Sequence, residues 1–335
     1  MRHLTTLHPN PPYRFPLLLD FLMRFAHPTL NVVHDEALWR VIQVTPPLAH
    51  VVYPRRLSPP TARKRGGEKK QGLALLRVMS TGSVDVPQLE IDVAASSGEV
   101  DDAKLIETIT HVLPTHHDWS GFYTSAEGDA ALWGVVEPLM GLPEIRTASV
   151  FEALMMTIIE QQISWTTAQR AQRWLIEWAG NRLDYEGRSY YAFPTPEQIA
   201  ATTVEALTPL KITFKRMALM IDVAGQVASG QLDLEGLREV PPDEAYKRLV
   251  SIKGIGHWTA AVTLERAFGY SDWVAHNDVV LQAATNRYLL GGSGRIPAER
   301  VTELFARYGQ YAGLAARYTL FRWVFEQYPQ RNGSE

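Results

Sequence analysis

The stretch that most constrains this chain covers residues 249–290, LVSIKGIGHWTAAVTLERAFGYSDWVAHNDVVLQAATNRYLL, with Ile252-Lys253-Gly254-Ile255-Gly256 at its centre. Apolar side chains at Tyr246, Leu249 and Val250 recur at helical spacing. Two glycines one residue apart then interrupt the pattern, and Trp258, Ala261, Val262, Leu264 and Ala267 resume it. The spacing predicts helix, tight hairpin, helix over about 243–268. Glycines in such a turn allow a positive φ and leave amide N–H groups unshielded where the second helix begins and its dipole is positive. That makes a seat for a phosphate. On G-x-G alone an ordinary helix-turn-helix corner reads equally well. Two features favour the phosphate seat: Lys253 puts a cation in the turn, and Asp278 follows one helix and one loop later. Asp278 stands in an otherwise uncharged run, 273–284, where a third helix would begin.

The hairpin followed by Gly256-His257-Trp258-Thr259-Ala260, and then by Asn277-Asp278-Val279-Val280-Leu281-Gln282, resembles the helix-hairpin-helix superfamily of DNA glycosylases. Within it the chain is most similar to the DNA-3-methyladenine glycosylase II branch. A second block, Phe151-Glu152-Ala153-Leu154 and then Ile158-Ile159-Glu160-Gln161-Gln162-Ile163-Ser164, resembles another helix of that branch. The resemblance covers 148–325 well and the first 140 residues loosely.

The chemistry implied is cleavage of an N-glycosidic bond through an oxocarbenium-like sugar. A carboxylate beside the anomeric carbon stabilises the developing charge and can orient or deprotonate a water. Asp278 fits that role, although an aspartate at a helix start is also a common N-cap. Where bifunctional relatives carry a Schiff-base lysine two residues after the second hairpin glycine, this chain has Trp258. The implied enzyme is monofunctional: it uses water, leaves an abasic site and has no lyase activity. Trp258 becomes a candidate wall for a cationic alkylated purine, or a plain core residue. Family register adds Tyr311 as a second pocket aromatic. At two further pocket positions, often aromatic in the family, stand Val262 and Val279, which implies a roomier pocket. Gln161 and Gln162 fall where the family fills the space left by a flipped nucleotide; as bare sequence they also read as two surface glutamines on an amphipathic helix. Lys253, Gly254, Ile255, Gly256 and Thr259 would contact DNA. Backbone carbonyls of Val250, Ile252 and Ile255 would hold a structural Na⁺ or K⁺. No other cofactor is expected.

The fold class expected is α+β: a two-lobed, mainly helical helix-hairpin-helix core over 141–335, preceded by a small antiparallel α/β domain over 1–140. Strands are predicted at 38–44, 49–53, 73–79 and 88–93, and helices at 15–25, 103–112 and 130–140. A basic loop, 54–72, carries Arg55, Arg56, Arg63, Lys64, Arg65, Lys69 and Lys70; it would touch phosphates or simply be a solvated insertion. After Gly141 helices are predicted at 151–163, 166–179, 196–201, 203–208, 214–229 and 243–250, with 179–194 as the widest irregular gap. The last helices are expected to pack with those just after Gly141, and the cleft between lobes to be framed by Gln161-Gln162, the hairpin and Asp278.

Composition narrows the function classes. With no cysteine in the chain, disulfides and a four-cysteine iron-sulfur cluster are excluded. The apolar run at 15–25 contains Asp20 and Arg24 and lacks a cleavage site, so it reads as an amphipathic helix of a cytoplasmic protein without membrane contact. A net charge of −3 argues against an indiscriminate nucleic-acid coat but leaves room for one basic face. Arg287, Arg295, Arg300, Arg307, Arg317 and Arg322 cluster near the end of the chain. His116-His117 reads as a solvated loop and His276 as a loop residue near the site. The expectation is a monomeric base-excision-repair glycosylase for alkylated purines (3-methyladenine, 7-methylguanine type) in duplex DNA. The alternatives are a non-catalytic helix-hairpin-helix DNA-binding protein and a glycosylase for deaminated or oxidised bases.

Overall fold

The computed structural model describes residues 1–24, 29–44 and 72–328. The predicted strand at 49–53 and the seven basic residues of the loop lie outside them. The described chain runs β1 (Arg2–Leu7), α1 (Phe15–Arg24), β2 (Val32–His34), β3 (Ala37–Val44), β4 (Gly72–Ser80), β5 (Leu89–Ser97), α2 (Asp102–Val112), α3 (Ser120–Glu127) and α4 (Ala130–Val136). It continues with α5 (Val150–Glu160), α6 (Trp165–Ala179), β6 (Arg182–Tyr185), β7 (Arg188–Tyr191), α7 (Pro196–Ala200) and α8 (Phe214–Ala228). Last come α9 (Pro242–Ser251), α10 (His257–Phe268), α11 (Val279–Leu289), α12 (Ala298–Ala306) and α13 (Ala312–Gln327). Among the described residues no helix is long and apolar enough to cross a membrane.

The first five strands form one antiparallel sheet in the order β1-β5-β4-β3-β2. Alternation along β3 sends Leu38, Ile42 and Val44 toward α1 and α2, and Ala37, Trp39 and Val41 to the opposite face. That opposite face is covered by β6 and β7, a two-stranded antiparallel hairpin inside the stretch expected to be irregular. The signal for it is short: Glu186-Gly187 both take positive φ (50° and 76°), a two-residue turn between Tyr185 and Arg188. Tyr190 packs its ring 5.8 Å from that of Trp39. Burial of a sheet on both faces explains why β3 is apolar almost throughout.

Two helical lobes follow, with membership different from that expected. In α5, Val150, Phe151, Ala153, Leu154, Met155, Ile158 and Ile159 are all buried, so the helix is enclosed by α6 to α10 and has no free face for the final helices. The last helices pack instead on α3 and α4, through Phe122, Leu132, Val135 and Val136 against Leu281, Phe305, Leu314 and Tyr318. The helix expected at 203–208 is replaced by turns leading into a 3-10 turn, Thr208–Leu210, with Pro209 at its start. The helix expected at 151–163 ends at Glu160, because Gln161 turns extended (ψ 123°) and Gln162 takes φ 54°.

Candidate active site

Asp278 is the N-cap of α11. One carboxylate oxygen, Oδ1, accepts the backbone N–H groups of Val280 (2.8 Å) and Leu281 (3.0 Å). The other, Oδ2, accepts the indole N–H of Trp258 at 3.1 Å. The N-cap reading is realised: the cap consumes Oδ1 and fixes the plane, while Oδ2 accepts from a neutral donor. Trp258 sits on the first turn of α10, so the hairpin that starts that helix also sets the indole.

In the hairpin the two glycines do different work. Gly254 takes φ 96°, and a Cβ added there would come within 2.9 Å of Leu219 Cδ2. Gly256 is the N-cap of α10 with φ −97°, and a Cβ there would meet nothing within 4 Å. Only Gly254 needs the left-handed region; the expectation that both do is corrected. Gly256 bears no side chain at the open N-terminus of α10, where a ligand's approach to the amides is what glycine protects. Lys253, Gly254 and Gly256 are exposed, whereas the Ile255 side chain is buried in the first lobe. The Ile252 carbonyl accepts the Ile255 N–H at 3.0 Å.

Between the lobes and the N-terminal sheet opens a cavity of about 1110 Å³, lined at this end by Gln161, Gln162, Gly254, Trp258, Val262 and Asp278. The far wall carries buried ion pairs. Arg40 Nη2 on β3 donates to Glu152 Oε1 on α5 at 2.8 Å, both side chains being 5% exposed or less. Glu160 accepts from Arg266 Nη1 (2.8 Å) and Gln172 Nε2 (2.7 Å). Arg317 donates to Glu265 (2.8 Å) and Glu144 (3.1 Å). Burial would push the Glu144 carboxyl up, but Arg317 and Arg146 prevail and hold it below the usual carboxylate range. Burial opposes the charge on Arg266 as well, and Glu160, Glu265 and Asp278 together raise its pKa.

This architecture matches a known one. The 3-methyladenine DNA-glycosylase from Archaeoglobus fulgidus superposes with a TM-score of 0.72 at 21% identity, covering 96% of this chain and 98% of that one. In sequence, the DNA-3-methyladenine glycosylase of Bacillus subtilis is 31% identical over 178 residues, 53% of this chain. Over about half its length the chain is similar in sequence to DNA-3-methyladenine glycosylases, and its fold is that of the Archaeoglobus fulgidus protein. The DNA-3-methyladenine glycosylase 2 of Escherichia coli is 30% identical over 190 residues, 56% of this chain. The alignments span 59% and 62% of those two curated relatives. No protein-family model matches the chain.

Against the register that the sequence resemblance implies, several residues stand elsewhere than expected. Tyr311 is not among the lining residues; it closes the 3-10 turn Gly309–Tyr311 and packs 5.8 Å from Phe122 in the second lobe's core. The aromatics that line the cavity include Trp119, Tyr318, Phe321 and Trp323. Val262 lines the cavity half-buried, and Val279 lines it 53% exposed. The two glutamines separate. Gln161 Nε2 donates to Thr259 Oγ1 at 3.0 Å, bracing the end of α5 against α10, while Gln162 is exposed at positive φ. Thr259 is itself 3% exposed, so its side chain is behind the surface on which it was expected.

His117 is not solvated: it stacks on Trp119 (4.7 Å) and its Nε2 lies 2.7 Å from Arg146 Nη2. Of the six C-terminal arginines, Arg317 is buried, and Arg287, Arg300, Arg307 and Arg322 pair with Glu326, Glu303, Asp129 and Glu326. Their charge is largely compensated, which weakens the idea of one basic face there. Arg216 was missed; its Nη1 donates to the carbonyls of Ile159 (3.1 Å) and Gln161, satisfying the end of α5. The buried pairs were missed too. Glu152 and Glu160 stand inside a quoted motif, and an acid in an apolar helix is itself a sign of a buried partner.

Proposed function

We propose that this chain is a monofunctional DNA glycosylase that removes alkylated purines, of the 3-methyladenine and 7-methylguanine type, from duplex DNA. The observation that carries the reading is Asp278, held at the cavity's edge by a helix N-terminus on one oxygen and an indole N–H on the other. The donors on both oxygens are neutral, and among the described residues Asp278 makes no ion pair. The names of the relatives and their shared fold support the same reading.

In this proposal the exposed hairpin amides of Gly254 and Gly256 receive a backbone phosphate, and Lys253 adds a cation beside it. The damaged nucleotide turns out of the duplex into the cavity, at a cost of a few kcal/mol of lost pairing and stacking. Gln162 occupies the vacated space and can hydrogen-bond the orphaned partner. The indole face of Trp258 stacks on the cationic base, worth about 0.5–2 kcal/mol. Asp278 stabilises the oxocarbenium-like sugar and guides a water to the anomeric carbon. An alkylated purine is already cationic, so its departure needs no general acid. With Trp258 where a lysine would form a Schiff base, the strand stays intact. The carbonyls of Val250, Ile252 and Ile255 are neutral oxygen donors suited to a Na⁺ or K⁺, which when bound would attract the phosphate. We assign the protein to the cytoplasm, acting as a monomer.

Incubating the purified protein with methylated, deaminated and oxidised duplexes, and measuring freed bases by chromatography, tests the reading. Release of 3-methyladenine and 7-methylguanine, lost in Asp278→Asn, is expected. Duplex binding without release of any base would establish the non-catalytic alternative instead. A protein–DNA adduct trapped by borohydride would overturn the monofunctional assignment.

A further inference from the structure

The loop between α10 and α11 carries Asp278, and besides the Trp258 bond to that carboxylate it is fastened to the hairpin by His257. His257, the first residue of α10 and the neighbour of Gly256, makes a hydrogen bond at each ring nitrogen. Its Nε2 lies 3.0 Å from the Val274 carbonyl, and its Nδ1 lies 2.9 Å from the Tyr246 hydroxyl of α9. A carbonyl can only accept, so Nε2 carries the proton; in the neutral ring Nδ1 is then left to accept from Tyr246. The imidazole of His276 stacks on that of His257 at 4.6 Å and 22°. Beneath them Trp273 stacks on Tyr246 at 4.8 Å and 8°. The loop is then wound tightly up to the carboxylate: His276 N–H donates to the Val274 carbonyl (2.8 Å), Asp278 N–H to the Ala275 carbonyl (2.8 Å), and Gln282 Nε2 to the His276 carbonyl (3.1 Å).

We infer that His257 is a positioning residue, which ties the Asp278 loop to the phosphate-binding hairpin so that seating of the DNA backbone also sets the aim of the carboxylate. The inference rests on the glycosylase reading above. The geometry gives it a specific form. Val274, four residues before Asp278, packs against the second lobe's core, and its carbonyl is held from both sides, by His257 and by the His276 N–H. Phosphate contact at Gly256 and carbonyl contact at Val274 are made by adjacent residues of one rigid helix start. A shift in one is carried to the other through the single His257 imidazole, which is hydrogen-bonded at both nitrogens.

Two variants separate this role from mere packing. His257→Phe keeps a stacking ring and loses both hydrogen bonds, whereas His257→Gln restores an N–H for the Val274 carbonyl. In the free protein, amide hydrogen exchange over 273–278 should rise about tenfold in His257→Phe, equivalent to about 1.4 kcal/mol, and recover in part in His257→Gln. Exchange over 252–256 should be unchanged. In single-turnover base release at saturating protein, His257→Phe should be about tenfold slower with duplex affinity within about twofold, and His257→Gln intermediate. Placed on Asp278→Asn, His257→Phe should cost nothing further, since it acts through that carboxylate. Unchanged exchange over 273–278, a rate loss that persists in full on Asp278→Asn, or a loss confined to DNA affinity would each overturn the inference. A wild type that releases no base would remove the glycosylase reading alone, and the exchange experiment would still decide whether the tether exists.

Discussion

The two walls of the cleft are built on opposite principles. On the far wall Glu144, Glu152, Glu160 and Glu265 each face a guanidinium, from Arg40, Arg146, Arg266 or Arg317. On the hairpin wall Asp278 meets only neutral N–H donors. An ion pair neutralises its members and spends them on holding elements together. A carboxylate held by neutral donors is left to whatever enters the cleft, so under the proposed function one wall is scaffold and the other is reagent. In that proposal the several acids of the far wall would not compete for a cationic base, because each is already answered.

The contrast is broken most sharply at Asp278. Asp278→Asn keeps the size and one oxygen while removing the charge, and base release should fall by about 10² to 10⁴-fold with duplex binding retained. Activity within a few-fold of wild type would put the reacting carboxylate on the other wall.

The converse experiment is made at Glu152. Removing one member of a buried pair strands a charge, so Glu152→Ala should lower unfolding free energy by about 3–5 kcal/mol, seen as an earlier urea midpoint. An Arg40→Met, Glu152→Met double variant should recover much of this. No change in midpoint would mean the pair is not structural. The same wall should be acid-sensitive. Glu144 is held below its ordinary value of 4.5, so its stabilising contribution is present above that pH and is lost as pH falls through the lower folded value. Thermal scans between neutral pH and pH 3 should show the loss.

At the hairpin the comparison narrows to two glycines. Gly254→Val forces a branched side chain into φ 96° against Leu219, and should cost about 1–3 kcal/mol of stability with weakened binding to every duplex. Gly256→Ala should leave stability nearly unchanged, because its Cβ meets nothing, and should weaken only DNA binding. Equal losses of stability would show that the turn is conformationally uniform.

The smallest effects belong to Trp258, which both aims Asp278 and faces the cavity. Trp258→Phe removes the N–H and keeps an aromatic face, so release of charged and neutral bases should slow alike, by about 0.5–1.5 kcal/mol. Trp258→Ala should add a further loss of about 1–2 kcal/mol on cationic bases only. If Trp258→Phe already separates the two classes of base, the indole is reading charge through its face and its bond to Asp278 is incidental.

What the sequence by itself determined is what is local or strung along neighbouring residues. The hairpin and its flanking helices, the start of α11 at Asp278 and the alternation in β5 all follow from periodicity and turn chemistry within about thirty residues. Asp278, Trp258 and Val262 reach one cavity because a single helix and loop join them. The tertiary structure decided everything that depends on which faces meet. Tyr311 has the right residue type and spacing, but it packs on Phe122 in another core. Gln161 and Gln162 are adjacent in sequence, yet the end of α5 divides them, one braced on Thr259 and one exposed. The pairs Arg40–Glu152 and Arg317–Glu144 join residues far apart in the chain, and no local pattern fixes the partner of a buried charge. Periodicity tells which side of an element is apolar; only packing tells what lies against it, and the far wall of this cleft is made wholly of such contacts.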